Sequence, residues 1–149
     1  MSQKSYKGFY KLKNPNKYNG SHPIIFRSSW EYSVMKWLDE NLNILKWGSE
    51  TVIVPYSIYN GKEYENHRYF IDFDFTYKDG RKFLIEVKPK SQTISPKYRR
   101  SEKYIKECQT FIKNQYKWQA ADIYAKKRGM IFEVWTEDVL KSKGIQLFK

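Results

Sequence analysis

Asp72, Glu86 and Lys88 are three residues whose types and spacing would let them do chemistry together. They lie on two alternating stretches, Tyr69 to Tyr77 and Arg81 to Lys88. In the first, Tyr69, Ile71, Phe73, Phe75 and Tyr77 share one face, and Phe70, Asp72, Asp74 and Thr76 share the other. In the second, Phe83, Ile85 and Val87 oppose Lys82, Leu84, Glu86 and Lys88. Period two with β-branched and aromatic side chains predicts the two arms of a β-hairpin. A two-residue Asp79-Gly80 loop would pair Lys78 with Arg81 and set Asp72 against Val87, mixing acids with the apolar face. A three-residue loop, Lys78-Asp79-Gly80, pairs Tyr77 with Arg81 and makes the apolar faces coincide. Asp72 then faces Glu86, and Asp74 faces Leu84. Gly80 supplies the left-handed residue that this loop needs. A slip of one residue would turn one apolar set outward, so the three-residue loop is expected.

Two carboxylates directly opposite each other on a sheet repel. One reading leaves them solvated, with Lys88 and Arg81 diluting the charge. The other puts a divalent cation between Asp72 and Glu86, with Lys88 on the same face and within reach of whatever the metal holds. Mg²⁺ suits such a place, because it takes one or two carboxylates and completes its shell with water and phosphate oxygens.

The elements that must position this hairpin follow from local signals. Ile24 to Phe26 reads as a short strand. Ser28 followed by Glu31 makes a capping box that opens a helix. Trp30, Val34, Trp37 and Leu38 then recur at helical spacing, and Asn41 is a stop. Locally, Glu31 is a helix cap, and a first-turn carboxylate can also face a metal. Ile44 to Tyr59 is strand-like and broken by Gly48 and Pro55, as two strands or one bent one. Asn60-Gly61 signals a hairpin turn that leads into the central hairpin. Pro89 limits further pairing after Lys88. Ser101 to about Arg128 is helical, as one bent helix or two meeting near Asn114, with Gly129 as the C-cap. Tyr104, Ile105, Cys108, Phe111 and Ile112 form one stripe; Trp118, Ala121, Tyr124 and Ala125 form another. Met130 to Trp135 is a strand, and Thr136 caps a short helix that buries Val139 and Leu140. This order makes the chain α/β.

Composition bounds the partners. The chain has 149 residues, 40% hydrophobic and 18% aromatic, enough for one domain with its own core. Its net charge of +12 points to nucleic acid or an anionic membrane. No basic amphipathic helix with a clean apolar face stands out, so nucleic acid is favoured and no membrane partner is expected. The N-terminus has no apolar h-region and no run approaches membrane-spanning length. Cys108 is the single cysteine, which excludes an internal disulfide and fits a reducing compartment. His22, His67 and Cys108 are too few for a usual structural zinc site.

Two basic segments are candidate DNA contacts. The loop after the hairpin carries Lys90, Lys97, Arg99 and Arg100 immediately beyond the acidic pair; the alternative is an ordinary solvated loop. Residues 1–23 form a basic arm in which Lys4, Lys7, Lys11, Lys13 and Lys17 interleave with Tyr6, Phe9, Tyr10 and Tyr18. That mix suits phosphate contact and stacking, or a strap whose aromatics pack on the core. Residues 24–149 are then the folded domain.

The hairpin matches an Asp, then Glu-x-Lys: Asp72, followed by Glu86-Val87-Lys88. With Glu31 upstream, this resembles the PD-(D/E)XK nuclease superfamily. R-S-S-W-E (27–31), L-K-W-G-S-E (45–50), H-R-Y-F-I-D-F (67–73), E-V-K-P (86–89), K-W-Q-A-A (117–121) and T-E-D (136–138) resemble the head completion proteins of T-even-type tailed phages. The same scheme is similar to the endonuclease subunit of heteromeric transposases. The resemblance implies a restriction-endonuclease-like α/β domain, a mixed β-sheet flanked by helices. It implies Glu31, Asp72 and Glu86 around Mg²⁺, or Mn²⁺, with Lys88 beside the water and the phosphate. The superfamily often has Pro before its Asp; here Ile71 precedes Asp72 and Asp74 follows, so the pattern alone leaves both acids open. The register favours Asp72. A variable helix residue of the family would correspond to Gln115 or Lys117, while Trp118 and Ala121 read as core.

The implied activity is metal-dependent hydrolysis of phosphodiester bonds in double-stranded DNA, an endonuclease acting in phage head maturation. Head or portal proteins would be partners, in the host cytoplasm during assembly and in the virion. Two other readings stay open: a structural head completion protein that binds DNA ends or the portal without turnover, and a recombination or modification-type nuclease unrelated to capsids.

Overall fold

A computed structural model describes residues 5–147, and Lys4 of the basic arm lies outside them. In chain order the elements are β1 (Ser5–Phe9), β2 (Ile25–Ser28), α1 (Ser29–Glu40), β3 (Ile44–Ser49), β4 (Ile53–Tyr59), β5 (Tyr64–Phe70), β6 (Phe73–Tyr77), β7 (Lys82–Val87), α2 (Glu102–Lys127), β8 (Ile131–Trp135) and α3 (Glu137–Ser142). The central sheet runs β3-β6-β7-β8, with β8 parallel to β7 and the other pairs antiparallel. β1–β2 and β4–β5 are separate antiparallel ribbons. The architecture is α/β, a mixed sheet with flanking helices, as expected. No helix among the described residues is long and apolar enough to cross a membrane.

The hairpin register is the expected one. Phe73 pairs with Ile85, Asp74 with Leu84 and Phe75 with Phe83. Tyr77 N–H donates to Arg81 C=O at 2.9 Å, closing a loop in which Gly80 has φ +96°. Alternation then sorts the sheet's two faces into two cores. Phe73, Phe75, Phe83 and Ile85 join Val34, Met35 and Leu38 of α1, with Trp47 and Trp135. Leu84 joins Ala121 and Ala125 of α2 on the other side, with Val54, Tyr56, Tyr69 and Ile71. Full burial of each large apolar side chain contributes about 1.5–3 kcal/mol.

The first arm departs from the expected single strand. It breaks at Ile71-Asp72, where Ile71 N–H donates to Val52 C=O at 3.0 Å. The chain crosses there from the β4–β5 ribbon to the central sheet. Tyr69 and Ile71 therefore enter the α2-side core, while Phe73 and Phe75 enter the other. β5 itself falls on Y-E-N-H-R-Y-F, a polar stretch that pairs residue by residue with β4. The break in the 44–59 stretch comes at Glu50–Val52, not at Gly48 or Pro55. Pro55 is tolerated because a two-stranded ribbon leaves it an unpaired edge. Gly48 is a close-approach position: a Cβ there would meet Asp74 Oδ1 at 2.7 Å and Thr51 Cγ2 at 2.8 Å.

The helix signals mark real ends. Ser28 Oγ accepts the Glu31 N–H at 3.1 Å, and Asn41 caps the far end of α1. α2 is one helix through a buried Asn114. It closes with Met130 N–H on Ala125 C=O at 2.8 Å, around Gly129. The Tyr104–Ile112 stripe is not core: Ile105 and Ile112 are exposed, and this half of α2 lies against the basic loop. Thr136 makes no side-chain cap at α3. In the arm, Tyr10, Leu12 and Tyr18 pack into the α1-side core, and the Tyr10 hydroxyl donates to buried Asp39 at 2.8 Å.

Candidate active site

The bend at Asp72 builds the site. Continued pairing would direct the Val87 N–H toward the β6 strand's backbone, but the chain has turned away. Asp72 Oδ2 takes that N–H instead, at 2.8 Å. The carboxylate thus replaces a ladder bond at the end of the β6–β7 pair and is held across the register from Glu86. Burial raises the Asp72 carboxyl well above the usual range; the Glu86 and Glu31 charges raise it further, against the Val87 N–H and Lys88.

Glu86 is buried on β7, and both its oxygens are engaged. Oε1 accepts from the Tyr69 hydroxyl at 2.6 Å, and Oε2 lies 3.2 Å from Lys88 Nζ. Tyr69 is 2% exposed, and burial beside Glu86 pushes its phenol up, so it stays a donor. Lys117 of α2 completes this side: its Nζ lies 4.7 Å from the Tyr69 ring centroid. Burial lowers the Lys117 pKa, and the Glu86 charge opposes that shift.

Glu31 arrives from the start of α1. Its backbone N–H goes to the Ser28 cap, and its Oε1 accepts the Arg27 N–H at 2.9 Å. Burial raises its pKa, with Glu50 and Glu86 adding to the rise and Arg27 opposing it. The side chain thus closes the capping box on the Arg27 backbone, while the Glu86 charge still acts on it.

Glu31, Asp72, Glu86 and Lys88 are brought into one electrostatic cluster, three acids against one amine, with Lys117 alongside. Asp74 is directed elsewhere, bonded to the Thr51 hydroxyl beside Gly48. Gln115 is exposed and makes no side-chain hydrogen bond among the described residues. In the basic loop, Lys90 pairs with Asp138 at 3.2 Å and Arg99 with Glu107, while Lys97 and Arg100 are exposed.

The donor set suits a hard divalent cation. Its atoms are carboxylate oxygens, and their charge exceeds the amine charge near them. Asp72 Oδ1 and Glu31 Oε2 have no protein donor among the described residues. No group of three or more His, Cys, Asp or Glu side chains among those residues is arranged to hold a metal by itself. This differs from the expected set of Glu31, Asp72 and Glu86 together: a cation here would take at most two carboxylates from the chain and complete its shell with water and phosphate.

Tyr69 and Lys117 are the site residues that sequence reasoning did not assign. The alternation puts Tyr69 with Phe73 on an apolar face, and only the bend at Asp72 turns it toward Glu86. The sequence offers Lys117 and Gln115 equally, and the phase of α2 against the sheet separates them.

Comparison with known proteins bears on this arrangement. A family model described as TnsA-like endonuclease N terminal matches residues 41–137. The chain is 37% identical over 149 residues to the head completion nuclease of Enterobacteria phage T4, covering 95% of this chain and 98% of that protein.

Proposed function

The chain belongs to the TnsA-like endonuclease N-terminal family, and on that premise we propose that it is a phage head completion nuclease cutting double-stranded DNA with Mg²⁺. The observation that carries this is Asp72, fixed on the Val87 N–H, beside Glu86 with its Lys88 ion pair at 3.2 Å, where the Glu31 charge acts on both acids. The protein acts in the infected host cytoplasm during head assembly, with head or portal proteins as partners.

Phosphodiester hydrolysis needs a positioned water, in-line geometry and neutralisation of charge on the phosphoryl oxygens. Asp72 and Glu86 would hold the cation, with Glu31 as the third acid beside them. When bound, Mg²⁺ acidifies a water and polarises the phosphate. The chain supplies the rest. Val87 N–H fixes the Asp72 carboxylate, Tyr69 fixes Glu86, and Arg27 N–H fixes Glu31. Lys88, held 3.2 Å from Glu86, offers a positive charge where oxyanion charge builds and orients the water. Lys90, Lys97, Arg99 and Arg100 contact phosphates beyond the cut, which positions DNA without reading sequence.

The test is cleavage of linear and nicked duplex DNA with Mg²⁺, Mn²⁺ or excess chelator. Cleavage with either metal, abolished by chelator and by Glu86→Gln, is expected. Cleavage that survives both would remove the metal reading. DNA binding with no cleavage under any condition would leave a binding protein without turnover.

A further inference from the structure

The connector between β3 and β4 borders the acidic cluster and forms one wall of a solvent-open cleft. Glu50, in that connector, has φ +56°, the one non-glycine positive φ among the described residues. A side chain enters that region at a cost, so surrounding contacts must impose it. Glu50 N–H donates to the Asp72 carbonyl at 3.1 Å, and its carboxylate pairs with Arg27 Nη1 at 2.7 Å. Arg27 in turn holds Glu31 through its backbone N–H. The wall is thereby tied to two residues of the site.

The cleft has a volume of about 160 Å³, and Glu50, Ser49, Tyr18, Ile25 and Phe70 line it. Phe70, two residues before Asp72, is 43% exposed. Its cross-strand partner Ile53 is 41% exposed, and Ile25 on the opposite lip is 38% exposed. Large apolar side chains gathered at a cleft in so basic a chain mark a binding surface. Arg68 lies on the same outer face of β5, with its guanidinium 5.5 Å from the Phe70 ring centroid, and it forms no ion pair among the described residues. The Arg27–Glu50 pair leaves the opposite wall without net positive charge. The cleft therefore offers little to a phosphate and apolar walls to a neutral ring.

We infer that this cleft receives an unpaired DNA base beside the scissile phosphate, stacked on Phe70 and backed by Arg68. The preferred substrate class is then DNA with unpaired nucleotides next to the cut. This rests on the nuclease reading above. Two residues of extended chain span at most about 7 Å, which is roughly one phosphate-to-phosphate step along a strand. A phosphate held at Asp72 thus brings the adjacent nucleotide over Phe70. Aromatic rings and arginine planes are the usual stacking partners for unpaired bases.

The test is fluorescence anisotropy on the full chain, without added metal. The probes are a short blunt duplex and the same duplex carrying a few unpaired nucleotides at its 3′ or 5′ end. One stacked base is expected to tighten binding of one extended probe about five- to 150-fold over the blunt one. Phe70→Ala should bind both probes with the blunt-duplex affinity of the wild type, and Phe70→Tyr should keep the preference. The exposure of Phe70 makes both variants foldable, with circular dichroism as the check. Equal affinities in the wild type, or a Phe70→Ala that weakens both probes alike, overturn the inference; a surface used by a protein partner gives that flat result. Equal affinities in a protein that cleaves blunt duplex in a separate Mg²⁺ assay overturn this inference alone. A protein that binds neither probe overturns the nuclease reading with it.

Discussion

Replacing Asp72 by Asn should stabilise the metal-free protein at neutral pH. Asp72 sits in a desolvated place beside Glu86 and within reach of the Glu31 charge, and its carboxyl is raised well above the usual range. The native state therefore binds a proton more tightly than the unfolded chain does. Stability from this group is present below the unfolded pKa and is lost as pH rises through the folded one. At pH 7 the ionised side chain is a net cost. Asn removes the charge and keeps an oxygen to accept the Val87 N–H, now at 2.8 Å. Relief of the cross-strand repulsion is worth about 0.2–1 kcal/mol, or roughly 0.5–4 °C in Tm for a chain of this size. Asp72→Ala also relieves the repulsion but strips the Val87 N–H of its acceptor, at about 1–3 kcal/mol, so Ala should fall below Asn and below wild type. Thermal melts in chelator at pH 7 and near pH 4 check both parts. The Asn advantage should shrink at the lower pH, and Mg²⁺ should raise the Tm of wild type but not of Asp72→Asn. An Asp72→Asn protein less stable than wild type at pH 7 would refute the reasoning and make the ionised carboxylate a structural partner.

Three further outcomes follow from the same contacts. Glu31→Gln keeps an oxygen for the Arg27 N–H, so its metal-free stability should stay within about 0.5 kcal/mol of wild type while calorimetric Mg²⁺ affinity falls; unchanged affinity would leave Glu31 as a cap alone. Tyr69→Phe removes a donor from a buried carboxylate and should cost about 1–3 kcal/mol in denaturant melts, with slower cleavage at unchanged DNA affinity; cleavage at the wild-type rate would make the hydroxyl purely structural. Arg99→Ala with Arg100→Ala should flatten the log–log salt dependence of DNA binding by about one to two phosphate contacts, each about 0.9 in slope, and should weaken all sequences alike; an unchanged slope would move the DNA path toward the basic arm.

Much of the site was legible because short-range rules decide it. The demand for a left-handed residue at Gly80 and the need to keep Phe73, Phe75, Phe83 and Ile85 on one face left a single register for the hairpin. That register brings Asp72 level with Glu86 before any tertiary contact is considered. Ser28 and Glu31 likewise announce the start of α1, and the start of α1 is what delivers Glu31. The bend at Asp72 was not legible, because the alternation from Tyr69 to Tyr77 continues unbroken through it. Only the Ile71–Val52 backbone bond, between segments of separate elements, reveals the change of sheet. β5 was hidden for a related reason. A two-stranded ribbon with one face in solvent tolerates Glu65, Asn66 and Arg68, so it carries no apolar run. The left-handed Glu50 has no sequence signature, since its neighbours impose it. In the basic loop, charge was legible but pairing was not: Lys90 meets Asp138 of the distant α3, and Arg99 meets Glu107 near the start of α2.

Single-turnover cleavage of duplex DNA in Mg²⁺ by wild type and by Lys88→Met tests the central claim most directly. Lys88 is half-buried, contacts Glu86 at 3.2 Å and makes no other ion pair or side-chain hydrogen bond among the described residues, so its replacement isolates the site's chemistry from DNA capture. The cleavage rate should fall by about 10²–10³, the usual loss for one transition-state charge or donor, with DNA affinity near wild type and Tm lowered, because buried Glu86 loses its cationic partner. Cleavage by Lys88→Met at the wild-type rate would contradict the assignment of Glu31, Asp72, Glu86 and Lys88 as the place where the phosphodiester is cut.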